Sequence, residues 1–159
     1  MPTTVMPFLW YTDKAEEAAR FYCSVIPDSK IISSHDMPAD SPSGPAGSVK
    51  IVQFVLAGRP FMAMAAGKHD PFNDAISLMI EVDTQAELDR IWNALLEGGG
   101  KEIVCGWLKD RYGVSWQITP KRLNEMMGDP DRAAAKRAAE AMMTMVKLDI
   151  AEVERAFKG

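Results

Sequence analysis

The sequence predicts an α+β fold in which a β-α-β-β-β unit occurs twice and is followed by helices. Short apolar runs alternate with a single amphipathic helical stretch in each half of the chain. A run that ends in a polar helix-capping pair appears first at Thr12-Asp13 and again at Asp83-Thr84, a repeat of roughly 70 residues. Beyond Thr119 only helical spacing remains.

In the first unit, Val5 to Tyr11 is short, apolar and aromatic, as a buried strand is, and Thr12-Asp13 offers a helix N-cap. Ala15, Ala18, Ala19, Tyr22 and Val25 then recur at helical spacing until Pro27-Asp28-Ser29 stops the pattern. Lys30 to Ser34 reads as a second strand. Met37 to Gly47 holds Pro38, Pro42, Pro45, Gly44 and Gly47 and reads as a loop. Val49 to Leu56 and Phe61 to Ala66 form a hairpin about Gly58. The first module therefore spans about 4–67.

The order restarts with a strand at Ala75 to Val82. Ala86 to Leu96 places Leu88, Ile91, Trp92 and Leu95 on one helical face, and Gly98-Gly99-Gly100 ends that helix. Glu102 to Cys105, Trp107 to Asp110 and Val114 to Thr119 supply short β segments, so the second module spans about 75–119. Residues 120–159 form a helical extension: Pro120 to Met127, a helix that Pro130 starts and that runs from Ala133 to Met145, and Ile150 to Phe157. The methionines Met126, Met127, Met142, Met143 and Met145 read as core or dimer interface rather than as an adaptable binding surface.

Composition sets the class. A chain of 159 residues, 47% hydrophobic and 25% charged, is an ordinary globular domain with a core of its own. The formal net charge is -4 and the basic residues are scattered, which argues against nucleic acid as a partner. No segment reaches the length of a membrane span and the N-terminus lacks a signal-like run, so a cytoplasmic protein without membrane contact is expected. Cys23 and Cys105 are the only cysteines and form no Cys-x-x-Cys pair.

Four stretches carry a family resemblance. They are Ala15-Glu16-Glu17-Ala18-Ala19-Arg20-Phe21-Tyr22 with Pro27-Asp28-Ser29, Phe72-Asn73-Asp74-Ala75-Ile76-Ser77-Leu78, the run from Cys105 through Gly113 to Gln117, and Lys147-Leu148-Asp149-Ile150. Together they resemble PhnB-like proteins, also labelled 3-demethylubiquinone 3-methyltransferase-like, of the glyoxalase/bleomycin-resistance (vicinal oxygen chelate) superfamily. The resemblance implies paired β-α-β-β-β modules around a cavity, commonly in a homodimer. It also implies that metal-using members carry His, Gln or Glu on the first strand of a module and Glu on the last.

Those positions fall here on Met6 and Ser77, on Gln117, and on Met64 or Ala65. Such donors do not suit a hard divalent ion, so no metal and no cofactor are expected. His35 and His69 fall in or beside loops, away from the cavity strands. Cys105, with Lys109 and Arg111 nearby, invites a thiolate reading, yet no base is placed for it and a buried strand residue is the plainer reading. Methyl transfer would need a glycine-rich loop after a strand, whereas Gly98-Gly99-Gly100 follows a helix. Asp13, Glu16 and Glu17 suit a helix N-terminus without any catalytic role.

The remaining expectation is a ligand cavity rich in aromatics, with Trp10, Gln53, Phe61, Cys105, Trp107, Tyr112, Trp116 and Gln117 as candidate contacts and Phe54 beside them. Strand parity requires Trp116 and Gln117 to point to opposite faces. Three functions follow: a metal-independent small-molecule-binding homodimer, a metal-dependent lyase, isomerase or dioxygenase, or a structural dimer.

Overall fold

A computed structural model describes residues 2–159 and divides into two compact units, one ending at Pro71 and the other running from Phe72 to Gly159. In the first, β1 (Phe8–Tyr11), α1 (Ala15–Val25), β2 (Lys30–Asp36), β3 (Lys50–Leu56) and β4 (Arg59–Ala65) build one sheet of order β1-β4-β3-β2. β1 runs parallel to β4 and the other pairs are antiparallel. The alanines of α1 let it lie close on this sheet, where Ala15, Ala18, Ala19 and Tyr22 are fully buried with Val52, Phe54 and Ala63. The Tyr11 and Tyr22 hydroxyls meet at 3.0 Å, satisfying both polar ends in the core.

The β3–β4 turn is tighter than expected. Ala57 and Gly58 both have positive φ, the conformation of a two-residue type I′ hairpin, which puts Arg59 and Pro60 inside β4. Pro60 is tolerated because even-numbered N–H groups of β4 point toward β1, as Met62 shows by bonding Pro7, and the parallel β1 begins only opposite Met62, so it needs no N–H from Pro60. The expected cap at Thr12-Asp13 is also corrected. Lys14 occupies the N-cap of α1 and no side chain caps that helix.

The second unit repeats the plan with β5 (Leu78–Val82), α2 (Gln85–Leu96), β6 (Lys101–Glu102), β7 (Trp107–Lys109) and β8 (Ser115–Pro120) in the order β5-β8-β7-β6. Here Thr84 does cap its helix, accepting from the Glu87 N–H. β5 starts later than expected because Asn73 Oδ1 accepts from the Ala75 N–H and holds those residues in a turn. The strand expected over Glu102 to Cys105 is cut short for a similar reason. Cys105 and Gly106 both adopt positive φ and Trp107 N–H bonds Val104, so Cys-Gly forms another type I′ turn.

The extension comprises α3 (Lys121–Met127), α4 (Arg132–Met143, capped by Asp131 rather than started at Pro130) and α5 (Ile150–Lys158). Lys147-Leu148-Asp149-Ile150 ties it to the second module. Lys147 pairs with Asp89 at 2.9 Å, Leu148 is 1% exposed, Asp149 caps α5, and Gln85 bonds both the Leu148 carbonyl and the Ile150 N–H. Of the methionine stripe, Met126 is core while Met143 is 64% exposed. No helix among the described residues is long and apolar enough to cross a membrane.

The Asp89 carboxyl is held below its ordinary value by the Lys147 hydrogen bond first and the Gln85 bond second. A depressed folded pKa stabilises the fold above the unfolded value, and this stabilisation is lost as pH falls through the folded one. Asp89→Asn is therefore expected to be less stable than wild type at neutral pH, with the gap closing below pH 3.8. Urea titrations of both proteins across that range check it; a gap that stays constant with pH would contradict the linkage.

Candidate functional site

In each module one sheet face carries the helix and the opposite face is free of it. Pleat parity assigns the side chains. In the first sheet Val52, Phe54 and Ala63 face α1, so Phe8 and Trp10 of β1, Met62 and Met64 of β4, and Ile51 and Gln53 of β3 share the open face. This face is largely apolar, with Phe8 49% and Trp10 37% exposed. The Trp10 indole N–H donates to the Gly67 carbonyl at 3.1 Å, which fixes the ring while leaving much of its surface accessible. Gln53 accepts from the Ser33 hydroxyl across the β2–β3 pair.

The two histidines are not where the sequence placed them. His35 lies within β2 opposite Ile51, on the open face, and the His69 ring sits 6.3 Å from the Trp10 ring. The loop reading fails for His35 because β2 extends two residues past Ser34, whereas His69 does lie in a loop but not away from the sheet, because the chain leaving β4 turns back over Trp10.

In the second sheet Leu108, Trp116 and Ile118 are buried on the α2 side, leaving Met79, Trp107, Lys109 and Gln117 on the open face. This face is more polar than the first. Gln117 donates to the Ser77 hydroxyl at 2.8 Å, Asn124 donates to Glu81, and Asp74 receives both Ser115 and Lys109. The Ser115 hydrogen bond, and next the Lys109 one, hold the Asp74 carboxyl below its ordinary value.

The candidate contacts thus divide. Trp10 and Gln53 lie on the first open face, Trp107 and Gln117 on the second. Phe61 and Trp116 lie on the helix sides: Phe61 stacks on buried Phe54 with ring centroids 5.5 Å apart, and Trp116 is 1% exposed with its indole N–H on Asp110. Cys105 is a half-buried turn residue rather than a strand residue, and Tyr112 sits in the Asp110 turn with the Arg111 guanidinium 5.1 Å from its ring centre. Phe8, Met62 and Met79 went unselected in the sequence, although alternation with the buried positions marks them.

The register also tests the chelate positions. Tyr11 and Val82, the buried last residues of β1 and β5, correspond, which sets Met6 against Ser77. Gln117 lies opposite Met79 and its counterpart opposite Phe8 is Met62, not Met64 or Ala65. Two thioethers and a hydroxyl already bonded to an amide do not fit a hard divalent cation. Among the described residues no three His, Cys, Asp or Glu side chains gather to hold one.

A family model for 3-demethylubiquinone-9 3-methyltransferase matches residues 3–119. A search among curated proteins finds no match. Among solved structures, the PhnB protein of Bacillus cereus is 32% identical over 74% of this chain and 99% of its own, with a TM-score of 0.65. PA1353 of Pseudomonas aeruginosa is 25% identical over 75% of this chain and 98% of its own, with a TM-score of 0.54. The fosfomycin resistance protein FosX of Mesorhizobium loti, 11% identical over 81% and 99% of the two chains with a TM-score of 0.56, shares the fold. With the repeated module, the matched family model and these relatives in agreement, the chain belongs to the 3-demethylubiquinone-9 3-methyltransferase family, to which the PhnB protein is also assigned, and it shares its fold with FosX.

Proposed function

We propose that the chain is a metal-independent binding protein for a small, partly apolar molecule, working as a homodimer in the cytoplasm. The observation that supports this most is the open face of the first sheet, where Trp10 is pinned at its N–H and flanked by Phe8, Met62 and Met64 with Gln53 as a polar handle. Apolar walls with a few placed polar groups are what small-molecule sites offer. The donor set at the chelate positions supports binding without a metal. Val5, Ile76 and Val104 are exposed apolar side chains outside both faces and give a second copy something to cover. Nothing in the strand-to-helix junctions favours methyl transfer: β1 leads into Thr12-Asp13-Lys14, and the Gly98 to Gly100 run closes α2.

The test is a fluorescence titration with N-phenyl-1-naphthylamine, an uncharged apolar dye. Trp10→Ala is expected to weaken binding about tenfold, the loss of about 1.4 kcal/mol of aromatic contact, while His69→Ala changes it less. Equal affinities for wild type and Trp10→Ala would remove the first sheet face as the site.

A further inference from the structure

The first module has a second concavity, on the helix side of its sheet. A cavity of about 420 Å³ lies where β1 and β4 end, walled by Thr12 and Asp13, by Asp36 and Lys50, by Ser43 and Ser48, and by the chain leaving β4 at Ala65 to Gly67. Its volume falls within the range of ligand pockets. Only alanines supply apolar side chains, so it offers little to the molecule proposed for the open face.

The wall is built and not a gap under a loose loop. Met37 N–H bonds Val49, Gly47 N–H bonds Met37, Ser41 and Gly44 bond each other, and Asp40 accepts from the Ala46 N–H. Gly44, with φ of 146°, packs so tightly that a Cβ there would stand 2.5 Å from Ser48 Oγ.

The internal repeat explains the carboxylate at the rim. Three residues, Thr12 to Lys14, join β1 to α1, whereas two, Asp83 and Thr84, join β5 to α2. In the shorter joint Thr84 caps the helix; in the longer one the cap passes to Lys14 and Asp13 is released from that role. Asp13 makes no hydrogen bond or ion pair among the described residues. The other charged groups of the wall, Asp36 and Lys50, neutralise each other at 2.9 Å, and nearby Glu16 is paired with Arg20. The uncompensated charge of the cavity is therefore negative and sits on Asp13.

We propose that this cavity binds a small, hydroxyl-bearing primary amine, its ammonium group on Asp13 and its hydroxyls on the threonine and serine side chains of the wall. The site is separate from the open sheet faces and does not depend on what they bind. Its test is a titration of the 15N-labelled full chain with tris(hydroxymethyl)aminomethane in an amine-free buffer, followed by amide NMR shifts, with sodium acetate as the anionic control. Saturable shifts confined to residues 12–13, 36, 43–50 and 65–67 are expected with the amine and none with acetate. Asp13→Asn should raise the dissociation constant at least about tenfold, and its exposed, unbonded side chain makes the variant safe for the fold. Lys50→Met, which frees Asp36, should tighten binding, an effect that mere loss of structure would not produce. No saturable shift in wild type, saturation by acetate, unchanged affinity in Asp13→Asn or weaker binding in Lys50→Met would each overturn the assignment.

Discussion

Trp116→Ala is expected to cost about 3–5 kcal/mol, as removal of a fully buried large aromatic does. Set against a total stability of roughly 5–15 kcal/mol, that leaves the second module close to unfolding. The loss has two parts. Trp116 fills the space under α2 with Leu108 and Ile118, all at most 1% exposed, and its indole N–H donates to Asp110 Oδ2 at 2.9 Å. The other Asp110 oxygen accepts the N–H groups of Tyr112 and Val114, so one buried carboxylate organises the whole turn before β8. Trp116→Phe keeps most of the packing and removes one bond to that carboxylate, which should cost about 1–3 kcal/mol. Urea unfolding of the two variants separates the parts, and a Trp116→Ala protein within about 1 kcal/mol of wild type would show that this residue is not core.

The second large effect is at Gly106. Its φ of 79° disfavours any side chain, and a Cβ there would meet the Leu148 side chain at 2.8 Å and the Ile118 carbonyl at 3.2 Å. Gly106→Ala is thus expected to cost about 2–5 kcal/mol, combining backbone strain with overpacking. It should also loosen the extension, because the Cys105 and Gly106 N–H groups bond the Met145 and Val146 carbonyls. Leu148→Ala alone should cost about 2–5 kcal/mol through the cavity it leaves. Because the two atoms compete for one space, the double variant should be more stable than the sum of the single losses implies. Strict additivity in thermal unfolding would mean that Leu148 does not occupy that space.

These residues show what was legible in the sequence. The repeated β-α-β-β-β order could be read because each helix shows its buried stripe at helical spacing and each strand-to-helix junction is polar. Backbone conformation was harder. Cys105 reads as a strand residue by propensity, and only the turn bonds reveal that it shares a left-handed turn with Gly106. The ends of β2 and β5 were missed because a single side chain, or the pairing of a whole hairpin, decides them.

The candidate site was half legible for a similar reason. Aromatic content pointed to Trp10, Trp107, Phe61 and Trp116 alike, but composition carries no parity. Once Ala63 and Ile118 are seen to face the helices, Phe61 and Trp116 go with them, and Trp10 and Gln117 fall on the open faces. The Ser77–Gln117 hydrogen bond lay within reach of the sequence, since both were singled out as chelate positions, but their meeting needed the parallel register of β5 and β8. Asp13 was read as a cap, and one extra residue in the junction undid that reading.

Native mass spectrometry of the chain, recorded before and after incubation with Mn²⁺, Ni²⁺ and Zn²⁺, tests metal-independent binding most directly. A dimer that takes up no stoichiometric metal, and that retains an apolar small molecule or the naphthylamine dye equally with and without a chelator, is the expected result. One tightly held ion per chain, with ligand retention lost on chelation, would contradict it and make the binding metal-dependent.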